Sequence, residues 1–140
     1  MKTLSIDAVE VGESLPELAI PITPTLIVAG AIASRDYQDV HHDRDLAQDK
    51  GSADIFMNIL TTNGLVGRYI SDWAGAEAII KKVSIRLGAP NYPGDTMTLS
   101  GTVMAKEPDG TVMVDVVGRN KLGEHVVGTV DVILPGAERQ

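Results

Sequence analysis

An aspartate and a histidine stand five positions apart in the run Ser34-Arg35-Asp36-Tyr37-Gln38-Asp39-Val40-His41-His42-Asp43. A carboxylate and an imidazole on one short loop can converge on a single water or substrate proton, the minimum equipment for general acid–base chemistry. The chain has three histidines, and two of them, His41 and His42, are in this loop. Asp36 and His41 are therefore the candidate catalytic groups. Structural roles compete with that reading: Asp36 can be a solvated or turn-capping carboxylate, and His41 a satisfied core histidine. His42 reads as exposed or locally hydrogen-bonded, and Asp43 as the cap of a short helix starting at Arg44. Adjacent ligands on one loop rarely complete a coordination sphere. No cysteine is present to join them, and His125 falls in a predicted strand, so no metal site is expected.

The loop needs elements to hold it, and composition says what those are built from. At 140 residues with 44% apolar side chains, the chain reads as one folded domain, with residues 1–16 a partly ordered lead-in and 135–140 a tail. The absence of cysteine excludes disulfides and thiol catalysis and fits a cytoplasmic protein. No signal pattern opens the chain, and no apolar run reaches the ~20 residues of a membrane helix. A net charge of −7, with Lys81-Lys82 as the one basic pair, argues against nucleic-acid binding.

Leu18 to Pro24 reads as a short extended segment. Leu26 to Ala33 is too short for periodicity to decide, but its alanines and the preceding Thr25 favour a helix. Asp43 to Lys50 reads as a second helix, ended by Gly51. The clearest helix runs from Ile55 to Trp73, roughly 28 Å long. Ile55, Ile59, Thr62, Val66, Tyr69 or Ile70, and Trp73 form its apolar stripe, widened by Leu60 and Leu65. Gly64 and Gly67 inside it are placed to let a sheet approach closely. From Ala78 onward the period becomes two. Ile79 to Leu87, Met97 to Ala105, Val112 to Arg119 and His125 to Leu134 read as four strands in a meander, with turns at Asp109-Gly110 and Asn120 to Gly123. This order is α+β, with the long helix covered by an antiparallel sheet.

The arrangement resembles the hotdog fold, a curved antiparallel sheet wrapped around one long central helix. The loop sharpens the likeness. MaoC-like enoyl-CoA hydratases carry a pattern close to S-G-D-x-N-P-I-H-x-D before that helix, and Ser34, Asp36, His41 and Asp43 match it without a gap. Val40 takes the apolar position. Arg35 replaces the family glycine, Gln38 the asparagine and Asp39 the proline, while Met57-Asn58 stands where the family has an H-G pair. More narrowly, RDYQDVHHDRDLA followed by DIFMNILTTNGLVGRYISDWAG is similar to the small MaoC-like subunits of actinobacterial steroid side-chain hydratases.

The resemblance implies hydration of a 2-enoyl-CoA thioester with a bulky, steroid-derived acyl chain. Asp36 and His41 would hold the attacking water, and the backbone N–H of Asn58 would face the thioester oxygen. Arg35 and Met57 are candidate substrate contacts, and Lys81, Lys82, Arg86 and Arg119 are candidates for the CoA phosphates. No cofactor is implied, because CoA is part of the substrate. A lone hotdog leaves sheet edges open, so the resemblance implies either a homodimer or a heterodimer or heterotetramer with a second MaoC-like subunit. Two other roles compete: a non-catalytic hotdog subunit that completes a partner's pocket, and an acyl-CoA thioesterase. The thioesterase usually needs an acid on or near the long helix, where the first acid is Asp72.

Overall fold

The computed structural model describes residues 2–136, so Met1 and most of the expected tail lie outside it. Five strands, β1 (Ser14–Pro21), β2 (Ile79–Leu87), β3 (Thr96–Lys106), β4 (Thr111–Asn120) and β5 (Gly123–Ile133), form one antiparallel sheet in the order β1-β3-β4-β5-β2. Three helices, α1 (Pro24–Ala33), α2 (Arg44–Asp49) and α3 (Ile59–Ala74), lie between β1 and β2 in the chain. The long helix packed against a single antiparallel sheet is the hotdog arrangement.

Only β3, β4 and β5 form a meander, which corrects the expected run of four. β2 pairs with β5 instead, from Leu87↔Val126 to Ile79↔Ile133. The segment after β2 extends that pairing, with Gly88 N–H donating to His125 O and Ala89 N–H to Glu124 O. Pro90 and Pro93 then suit a crossover better than a tight turn, and β3 emerges beside β1. The alternation predicted in β2 also breaks. Its register shifts between Ile80 and Lys82, a bulge that turns Ile79 outward and brings Ile80, Val83, Ile85 and Leu87 against the core.

The core lies between α3 and the sheet. Thr62, Val66, Tyr69, Ile70 and Ala74 are the buried positions of the helix. Met97, Leu99, Val103, Val112, Val114, Val116, Val126, Val130 and Val132 are buried on the strands. Each large apolar side chain buried this way contributes roughly 1.5–3 kcal/mol. The helix begins at Ile59 rather than at the predicted Ile55. Asn58 takes extended backbone angles and caps it, its side chain accepting from Thr61 N–H. Residues 55–57 are drawn off the helix by other partners: Phe56 N–H donates to Val40 O and Met57 N–H to Asn91 O. Ile59 and Leu60 are consequently 48% and 49% exposed, outside the buried stripe.

Thr23, not Thr25, caps α1, because Pro24 occupies the first helical position where its missing N–H costs nothing. The sheet does not close tightly on Gly64 or Gly67 as expected; the tight contact is between helices, at Gly30 of α1. A Cβ there would lie 2.2 Å from the Thr61 hydroxyl, whereas at Gly64 it would meet nothing within 4 Å. The lead-in is tied down more than expected. Leu4 N–H donates to Ala74 O, Ile6 N–H donates to Pro135 O, and Val9 is fully buried. Among the described residues no helix is long and apolar enough to cross a membrane.

The α1–α3 contact at Gly30 yields a direct test. Gly30→Ala should destabilise the protein by about 1–3 kcal/mol through overpacking against Thr61, seen as a lower denaturant midpoint at unchanged slope. An unchanged midpoint would show that the two helices are not in this contact.

Candidate active site

The loop after α1 is shaped by its backbone. Ser34 ends the helix, its hydroxyl donating to Gly30 O at 2.7 Å. Arg35 follows with φ 57°, the only positive φ outside glycine among the described residues. That left-handed turn is where a glycine is least strained, which gives a physical reason for the glycine in the related pattern. Asp36 N–H then returns to Ala31 O at 2.9 Å, folding the loop back over the helix end. A single 3-10 turn, Asp39–His41, carries the histidine. It is fastened by Lys50, whose ammonium lies 2.6 Å from the Asp39 carboxylate and holds that group below the usual carboxylate range. Asp43 caps α2 by accepting from Leu46 N–H, as expected.

The two predicted reactive side chains face each other. His41 Nε2 lies 3.3 Å from Asp36 Oδ2. His41 is only 6% exposed, its ring edge-on to Phe56 at 4.9 Å and 83°. Its Nδ1 sits 2.7 Å from the Phe56 carbonyl oxygen. A carbonyl can only accept, so Nδ1 carries the hydrogen. In the neutral ring Nε2 then turns a lone pair toward the carboxylate. A water within reach of both acceptors donates one hydrogen to each, leaving its oxygen lone pairs free to attack. With a proton on Nε2 the ring instead donates it toward the carboxylate. Both forms are useful in acid–base chemistry.

Asn58 reaches this pair from the start of α3. Its Oδ1 accepts from Thr61 N–H at 3.0 Å and from the Thr61 hydroxyl at 2.5 Å. Its Nδ2 donates to Ser34 Oγ at 2.9 Å and to Asp36 Oδ2 at 3.1 Å. The Asn58 backbone N–H, at the positive end of the helix dipole, meets no acceptor among the described residues. Only that backbone group was expected to act; the side chain was legible to the extent that an asparagine just before a helix is a capping signal.

The other candidates separate. Met57 is 2% exposed and packed in the core, its sulfur beside Asn91 Nδ2. Arg35 is exposed. Lys81, Lys82 and Arg86 are exposed on the edge strand β2, and Arg119 pairs with Glu124 at 3.7 Å. His42 is exposed beside Tyr37 O. No cluster of three or more metal-ligating side chains occurs among the described residues. Apolar surface flanks the loop. One groove of about 640 Å³ runs along α1 past Val28, Ile32 and Ala33. Another of about 340 Å³ lies between Ala33, Leu60 and Leu65.

The third histidine is structural. His125 is 2% exposed, with Nδ1 2.7 Å from Ala89 O and Nε2 2.8 Å from the Thr62 hydroxyl. It ties β5 and the crossover to α3 one turn beyond Asn58. Burial lowers its pKa below the ordinary 6.5, against the opposing pull of Ala89 O.

The chain matches known proteins in sequence and in fold. Residues 8–125 match the MaoC-like domain family. Over 121 residues the chain is 58% identical to the 3-oxo-4,17-pregnadiene-20-carboxyl-CoA hydratase beta subunit of Mycobacterium tuberculosis, covering 86% of this chain and 93% of that one. The crystal structure of the ChsH1-ChsH2 complex from Mycobacterium tuberculosis contains a chain that superimposes with a TM-score of 0.87 at 56% identity, covering 89% of this chain and 98% of that one. The R-hydratase PhaJ1 from Pseudomonas aeruginosa shares the fold with a TM-score of 0.88 at 21% identity, over 96% and 87% of the two chains.

The buried His125 predicts a pH dependence. Its folded pKa lies below the unfolded value, so the unfolded chain takes up the proton first as pH falls below about 6.5. Stability is complete above that pH and declines on acidification. The melting temperature of the wild type should fall more between about pH 7.5 and about pH 5.5 than that of His125→Gln. Parallel curves for the two proteins would contradict this.

Proposed function

This chain belongs to the MaoC-like domain family, and on that premise we propose that it hydrates a 2-enoyl-CoA thioester as one subunit of a hotdog assembly. The observation that carries the reading is the 3.3 Å approach of His41 Nε2 to Asp36 Oδ2, with Nδ1 committed to Phe56 O. Water held by both groups attacks the β carbon. Asp36 takes a proton from that water as the new C–O bond forms. The π electrons of the double bond shift toward the thioester carbonyl; the proton passes from Asp36 to His41 Nε2 and from there to the α carbon, so both groups return to their starting forms. One water is consumed and no oxidant, metal or separate cofactor is needed. The charge that develops on the thioester oxygen is met by the Asn58 backbone N–H at the head of α3, where fixed dipoles stabilise it without reorganisation. Arg35, exposed and next to Asp36 in the chain, is the side chain proposed to contact the substrate's CoA portion.

The acyl group we propose is bulky and steroid-derived. The supporting facts are the high identity to a hydratase subunit named for a pregnadiene carboxyl-CoA substrate and the apolar grooves flanking the loop. The partner we propose is a second MaoC-like subunit. The similar chain of known structure occurs in a two-component complex, and β1 and β2 both leave an unpaired sheet edge. A scaffold role would not require the facing Asp36–His41 geometry. A thioesterase role is disfavoured because Asp72, the only acid of α3, is exposed near the opposite end of the helix from Asn58.

The test is co-purification with the partner, followed by assay against 2-enoyl-CoA thioesters from short chain to steroid. Asp36→Asn and His41→Ala should each lower kcat by about 10²–10⁴-fold while the circular dichroism spectrum is retained. Full activity in either variant, or no hydration of any thioester by the wild-type assembly, would overturn the proposal.

A further inference from the structure

Capping α3 requires only an oxygen at position 58. Serine, threonine or aspartate would supply it as well as asparagine. The structure shows what only the amide adds. Because Asn58 Oδ1 accepts two hydrogens from Thr61, the carboxamide cannot be flipped, and its NH2 must face the loop. One of those hydrogens goes to Ser34 Oγ and the other to Asp36 Oδ2. Ser34 is also locked in its role: its own hydrogen goes to Gly30 O, so toward Asn58 it can only accept. The side-chain donors and acceptors that link Thr61, Asn58, Ser34 and Asp36 are therefore assigned without conflict. Gly30 allows this arrangement, since a Cβ there would displace the Thr61 hydroxyl.

We infer that the Asn58 side chain is a positioning residue, whose amide holds the Asp36 carboxylate in the rotamer that faces His41; this rests on the hydratase reading of Asp36. Asp36 has little else to hold it. Its Oδ1 meets Gln38 N–H only at a long 3.4 Å, and the carboxylate sits on an irregular loop after a left-handed residue. Oδ2 is the atom that faces His41 Nε2, and it is the same atom that accepts from Asn58. Rotation about the Asp36 side chain would carry Oδ2 away from both partners at once. Asparagine is also the neutral choice. Aspartate at position 58 would cap equally well but would set a second carboxylate against Asp36, where like charges repel.

Asn58→Ser is the informative variant, because it keeps a capping oxygen and the backbone N–H that faces the thioester oxygen, and removes only the amide. Asn58→Gly is the companion, because glycine is well tolerated at a helix cap. In the active assembly both should lower kcat by roughly 10- to 100-fold, the scale of a misplaced catalytic group, with KM within about threefold. Asn58→Asp should lose at least as much. Wild-type kcat in Asn58→Ser would overturn the inference. A second measurement reads the contact without turnover: melting of the wild type, Asn58→Ser, Asp36→Ala (which leaves no acceptor for the amide) and the double variant. Non-additive shifts support the amide–carboxylate contact, and additive shifts overturn it. If the wild type hydrates nothing, the functional proposal fails by its own assay while this cycle still decides the contact.

Discussion

The burial of one side of α3 against the sheet is the constraint from which the rest follows. Thr62, Val66, Tyr69, Ile70 and Ala74 commit the helix in rotation and in register along its axis. Its first turn is thereby placed against the end of α1. The Gly30–Thr61 contact sets how near the two helices come, and His125 adds a polar fastening at Thr62. The reactive loop has almost no regular structure of its own. It borrows its geometry from two helix termini that the core has already fixed.

A continuous path of polar contacts transmits that geometry to the chemistry. It runs from Thr61 to Asn58, from Asn58 to Asp36, across to His41, and out to the Phe56 carbonyl. Phe56 belongs to the extended stretch that joins α2 to α3, and that stretch is itself pinned through Met57 N–H to Asn91 O. Asn91 is fully buried and accepts in turn from Asn120. The catalytic loop is thus clamped from one side by helix ends and from the other by the crossover between β2 and β3. Such support from residues with locked rotamers is what keeps a site within the tolerance that catalysis needs.

The sequence made the pair legible because Asp36 and His41 are close in the chain and their spacing matched a known pattern. The helix and strand periods were also readable, and each strand lies within a few residues of its expected position. What was not readable depended on contacts between distant segments. The pairing of β2 with β5 rather than β3 rests on partners about forty-five residues apart, and no local signal separates it from a meander. The start of α3 was misplaced because Ile55 fits the apolar stripe, while the backbone bonds that draw Phe56 and Met57 off the helix come from Val40 and Asn91. Ile79 fit the alternation until the bulge at Lys81 reversed its side. Asn58 was singled out for its backbone alone. Its side chain acquires meaning only when Ser34 and Asp36, more than twenty residues earlier, arrive beside it.

The bond from Ile6 N–H to Pro135 O joins the opening of the described chain to its close. Nearby, Leu4 is bonded to the last residue of α3, so both strand-free ends gather at the helix's C-terminal side while the reactive loop belongs to its N-terminal side. An appended domain at either end would leave from one common seam. Fusion and circular permutation can therefore be engineered at that pole without threading new polypeptide past the acid–base pair.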